Sequence, residues 1–117
     1  MPEGVTVSAS GPLTVVQGQE YEYTLHVTWT KERPAVMGLS YGSPGNLPVN
    51  NGCNRPKSPP SHVGPGSYTV TEKHTWDSTN QYQYVTGVGE TTCQYYEGGD
   101  RQQEHVTVSP APSPQAS

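Results

Sequence analysis

The sequence predicts an all-β sandwich of about seven short strands, and three observations predict it. Strand-forming residues dominate, with 13 Val and 13 Thr against 4 Leu and 4 Ala. The 13 Gly and 12 Pro interrupt the chain too often for long helices. Residues 20–30 alternate without a fault: Tyr21, Tyr23, Leu25, Val27 and Trp29 fall on one face, and Glu20, Glu22, Thr24, His26, Thr28 and Thr30 on the other. Period two over this length marks a strand with one buried face and one solvated face.

A chain of 117 residues makes one small domain, expected over residues 1–109, with 110–117 as a Pro/Ser-rich tail or linker stub. Leu and Val total 17 residues and there is no Ile or Phe, so the core is thinly furnished. Disorder would also need a high net charge, and the charge is only −4. Eight Tyr and two Trp restore apolar area, each able to bury about 150–250 Å². The six Lys and Arg are scattered, which excludes the clustered positive charge that nucleic acid requires. Apolar runs of two or three residues predict no membrane insertion, and the first 25 residues carry no signal peptide.

The elements follow in order. Residues 4–9 alternate as a short strand closed by Gly11-Pro12, and Val15-Val16 with Gly18 lead into the strand at 20–30. A short strand over 36–41 follows Pro34. Residues 42–66 hold six prolines, Asn50-Asn51 and five glycines, and read as a long irregular loop, since proline cannot donate to a ladder. The pattern resumes over 67–76, with Tyr68, Val70 and Trp76 sharing a face with Glu72 and His74. Residues 81–86 and 91–96 read as a hairpin turned by Gly87-Val88-Gly89-Glu90. Residues 97–100 form a further turn, and 104–109 a last strand with Val106 and Val108 inward.

The opening Val5-Thr-Val-Ser and the run from Gln17 to Trp29 resemble the first two strands of bacterial and phage immunoglobulin-like modules. Pro65-Gly-Ser-Tyr-Thr-Val-Thr71 is similar to a strand of the PKD and related Big-type families. The close, His105-Val-Thr-Val-Ser-Pro110 before a Pro/Ser tail, is how such modules end. These stretches cover about a third of the chain. The resemblance implies an Ig-like antiparallel sandwich and no particular activity. The chain departs from antibody-type domains in having Trp29 and no Cys on the second strand, and from PKD domains in continuing Trp76-Asp77 as Ser-Thr-Asn.

Cys53, in the long loop, and Cys93, on the late strand expected over 91–96, are the only cysteines. A bridge between them would close about 40 residues and stabilise by roughly 3–4 kcal/mol on the chain-entropy estimate. Two reduced thiols are the alternative, favoured by a cytosolic setting and disfavoured on a virion or outside the cell. Glu72 and His74 share a strand face as half a metal site. His26, His62, His105, Asp77 and Glu104 offer no third ligand at a recognisable spacing. The turns at 77–80 and 97–100 lack the calcium-loop spacing. With two Asp and no nucleophile or phosphate-loop motif, neither an enzyme nor a cofactor is expected.

Tyrosine is the more informative residue. Tyr82, Tyr84, Tyr95 and Tyr96 crowd one segment, and Tyr95 and Tyr96, being adjacent, cannot both face a core. They form the expected binding surface for a protein partner, either capsid or tail subunits or a neighbouring domain, or for a surface glycan. The function expected is a structural or interaction module decorating a phage particle. The alternative is an extracellular adhesive or carbohydrate-binding module on a cell surface.

Overall fold

In the computed structural model, residues 4–31, 33–34, 36–43, 64–90 and 99–112 are described. They form eight strands and no helix: β1 (Val5–Ser10), β2 (Thr14–Val16), β3 (Glu20–Trp29), β4 (Val36–Gly42), β5 (Gly66–Thr75), β6 (Tyr84–Glu90), β7 (Gly99–His105) and β8 (Thr107–Ser109). Two antiparallel sheets, ordered β1-β3-β5 and β4-β6-β7, pack face to face. β2 and β8 pair in parallel. First, third and fifth strands in one sheet against fourth, sixth and seventh in the other is the wiring of an immunoglobulin-type sandwich. No helix among the described residues is long and apolar enough to cross a membrane.

β3 is the centre of its sheet, and its alternation is observed as expected. Tyr23, Leu25, Val27 and Trp29 are buried and Tyr21 is half-buried, while Glu20, Glu22 and His26 are exposed. On β1, Val5, Val7 and Ala9 join the same core opposite Trp29, Val27 and Leu25. The facing sheet contributes Leu39 and Val85. Trp76 closes one end of this core, and Val15, Val106 and Val108 line it beside the β2–β8 pair.

Residues 87–90 are strand rather than turn, which corrects the expected hairpin. β6 runs through all four and pairs with Gly99–His105, so the turn expected over 97–100 has Gly99 and Asp100 in strand as well. The glycines have a packing reason. A Cβ at Gly87 would lie 2.9 Å from Leu25 Cδ1 and 3.0 Å from Ala9 Cβ, and one at Gly89 would lie 3.0 Å from Val7 Cγ2. Glycine here allows β1 and β3 to approach the β6 backbone. Thr86, Val88 and Glu90, alternating with these glycines, are buried too, so β6 has no solvated face. The carboxylate of Glu90 is held by Nε of Arg101 on β7.

The last strand is also divided. Glu104 and His105 belong to β7, the ladder breaks at Val106, and residues 107–109 pair with β2 instead. Val106 and Val108 are buried, as expected. The expected loop over 42–66 lies outside the described residues except at its two ends.

Gly4 and Ser109 lie at opposite ends of the sandwich. Gly4 accepts from the Thr30 N–H beyond the Trp29 end of β3. Near the Glu20 end, Ser109 O accepts from the Gln17 N–H at 2.8 Å, and Gln17 Nε2 donates to Asp77 O at 2.8 Å.

Candidate functional site

The Glu20 end of the sandwich gathers Tyr21, Tyr23, Tyr41, Trp76, Tyr82 and Tyr84 with His74 and His105. Registry does the gathering. Tyr21 lies opposite His74 and Tyr23 opposite Glu72, while Tyr41 and Tyr84 occupy the corresponding ends of β4 and β6. Trp29 and Tyr68 are the aromatic residues at the other end among those described.

The interior part of this cluster is fully bonded. The Tyr23 hydroxyl donates to Pro12 O at 2.7 Å and accepts from Trp76 Nε1 at 2.9 Å. The Tyr41 hydroxyl donates to Glu72 Oε1 at 2.8 Å, and its ring stacks on His74 with centroids 3.9 Å apart and planes 5° apart. Trp76 stands edge-on to Tyr23, Tyr41 and His74 at 6.0, 5.8 and 4.6 Å. Edge-to-face pairs of this kind add about 0.5–1.5 kcal/mol each beyond the area they bury.

Burial pushes the Tyr41 phenol above its ordinary value, reinforced by the hydrogen bond to the Glu72 carboxylate and its charge. Tyr23 is pushed up as well, mainly by burial and against the hydrogen bond from Trp76. Burial lowers His74, with the charges of Asp77 and Glu72 opposing. Glu72 and His74 do share a face, as the sequence indicates, but Tyr41 joins both of them. Among the described residues, no three His, Cys, Asp or Glu side chains are grouped to hold a metal ion. The cluster is a hydrogen-bonded aromatic plug between the sheets.

The outer part differs. Tyr82 is 58% exposed, the most open of the large apolar residues described. Its backbone N–H donates to Asn80 Oδ1 at 2.8 Å, a side-chain turn that fixes the segment while the ring stands clear. Tyr84, half-buried, meets His105 edge-on at 5.2 Å. His105 Nε2 lies 2.8 Å from Gln81 O, and since a carbonyl only accepts, that nitrogen carries the proton. Tyr84 and His105 thus form an outer pair, with the exposed Tyr82 two residues before Tyr84 and Ala111 hydrogen-bonded to Gln17 at the same end of the sandwich.

Of the residues expected to form the binding surface, Tyr82 and Tyr84 are brought to this end. Tyr95, Tyr96, Cys53, Cys93 and His62 lie outside the described residues. Sequence reasoning missed Tyr41, whose only signal was its place at the end of a short strand, and His105 as the neighbour of Tyr84. No family model, curated protein or solved structure matches the chain. Fold and site define an all-β sandwich with an aromatic-rich end, hydrogen-bonded inside and open at Tyr82.

Proposed function

We propose that this chain is a non-enzymatic interaction module, an Ig-like decoration or surface protein of a phage particle, that docks through the end carrying Tyr82, Tyr84 and His105. The observation that carries this reading is Tyr82, a large aromatic left 58% exposed on a backbone fixed by the Asn80 side chain. A ring presented that way offers wide contact area and loses little conformational freedom on docking. The interior rings contribute by stiffness: the hydrogen bonds of Tyr23, Tyr41 and Trp76 are made within the fold. The resemblance of the opening and closing strands to bacterial and phage modules supports a particle surface as the place of action.

Immunoelectron microscopy with an antibody against the chain tests the assignment on virus particles and bacteria from the source culture. Regular labelling of capsids or tails is expected. Labelling confined to the bacterial envelope would replace the reading with an adhesive or glycan-binding module, and a glycan array would then identify the ligand class.

A further inference from the structure

Charge is unevenly distributed along the sandwich. Register puts Glu20, Glu22, Glu72 and Glu104 towards the Tyr82 end, and Asp77 follows Trp76 there. Among the described residues, Lys73 is the one Lys or Arg at that end. The other end reverses the balance, with Lys31, Arg33 and Arg101 set against Glu90 and Asp100. Between the two, the outer face of β3 carries Thr24, His26 and Thr28, paired with Thr71, Thr69 and Ser67. No carboxylate, Lys or Arg interrupts that stretch, so the molecule is bipolar along its length.

The acidic side chains at the Tyr82 end divide by what they already hold. Glu72 accepts from the Tyr41 hydroxyl and Glu104 from Gln102 Nε2 at 3.3 Å, while Glu20 lies 3.8 Å from Lys73 Nζ. Glu22 and Asp77 are exposed, and Gln17 Nε2 reaches the backbone oxygen of Asp77 rather than its carboxylate. Surface carboxylates alone specify no ligand, but this end also presents the exposed ring of Tyr82. An aromatic face attracts a cation through its quadrupole, and a guanidinium both stacks on such a ring and pairs with carboxylates. Resting on the reading that this end is the contact surface, we infer that its partner is a basic protein surface. An Arg side chain of that partner lies on the Tyr82 ring, and the charges of Glu22 and Asp77 draw the surface in. Complementary charge sets encounter rate and orientation, and the reversed balance at the far end turns that end away from the same partner.

Two probes test the inference. The first is rebinding to purified particles stripped of the chain, at low and at high NaCl. The parent should bind at least about tenfold more weakly at high salt. Asp77→Asn/Glu22→Gln should bind about fivefold or more weakly at low salt, with a smaller salt dependence and an unchanged melting temperature. Arg33→Gln, at the far end, should bind as the parent does. The second probe is an Arg-rich peptide titrated into isotope-labelled protein and followed by NMR, beside the same peptide with Lys for every Arg. The Arg peptide should shift the amides of residues 77–84 and bind more tightly than the Lys peptide, and Tyr82→Ala should abolish that preference. Loss of particle binding with Tyr82→Ala but not with Asp77→Asn/Glu22→Gln, at either salt, overturns the inference and leaves the contact surface standing. If particles bind none of the proteins, or bind Tyr82→Ala as the parent, the contact surface itself is withdrawn. The titration then decides the inference separately: shifts scattered over the chain, or equal for the two peptides, overturn it.

Discussion

Tyr23 is the residue on which the aromatic end depends. Its hydroxyl both gives and receives, joining Pro12 at the start of the β1–β2 connection to the indole of Trp76. Tyr23→Phe keeps the ring and its packing but leaves the buried indole N–H of Trp76 without its acceptor and the Pro12 carbonyl without its donor. We expect a loss of about 1–3 kcal/mol, the cost of unsatisfied buried groups, measured by urea unfolding. His74 gives a second expectation at this scale. Its folded pKa lies below the ordinary 6.5 because burial penalises the cation. The folded state therefore binds the proton less readily than the unfolded one, and the stability is fully present above pH 6.5 and is lost as pH falls through the folded value. Thermal unfolding from pH 7.5 down to 5 should show a fall in melting temperature that His74→Gln diminishes; the same slope in both proteins would remove His74 as the cause. The pairing of Glu72 with His74 was legible from their spacing. Tyr41, which joins them, lies on the strand expected over 36–41, but its meeting with them depends on how the two sheets pack, which is long-range information.

At the scale of elements, legibility follows burial. β3 could be read because it has one buried and one open face, and that asymmetry writes period two into the sequence. Leu25→Ala should accordingly cost about 2–5 kcal/mol, while Thr28→Ala, on the outer face, should change stability by about 0.5 kcal/mol or less. β6 was misread because both its faces are buried, and because glycine serves turns and close approaches alike. Telling these apart requires knowing that Val7, Ala9 and Leu25 stand over Gly87 and Gly89, which is long-range information. Gly87→Ala should cost about 1–3 kcal/mol by overpacking against Ala9 and Leu25. A surface turn would accept it with little change, so denaturant unfolding of this variant distinguishes the two assignments. β7 was invisible for the opposite reason. Its sequence, GDRQQEH, has no apolar residue, because Asp100 and Gln102 face β1 rather than the core. β8 was legible as the end of the strand expected over 104–109, whereas β2, three residues long, left no pattern of its own.

For the whole molecule, the fold places the start of β1 and the start of the tail at opposite ends, with the outer tyrosines at the tail end. On the proposed reading, the partner is held at that end while the rest of the sandwich stands away from the contact. Composition indicated an all-β fold, and the alternating segments with turn signals between them indicated the sandwich. The gathering of aromatic residues at one end was not legible, because it depends on the register between β3, β5, β4 and β6. The measurement closest to the central claim compares the parent chain with Tyr82→Ala and Tyr68→Ala in binding to purified particles stripped of the chain. Tyr68, 37% exposed near the other end, is the internal control. Tyr82→Ala should weaken binding by more than about 1 kcal/mol, roughly a fivefold or greater rise in Kd, with an unchanged melting temperature. Tyr68→Ala should bind as the parent does. Equal binding by all three proteins, or a loss with Tyr68→Ala alone, would contradict the claim that this end of the sandwich is the contact surface.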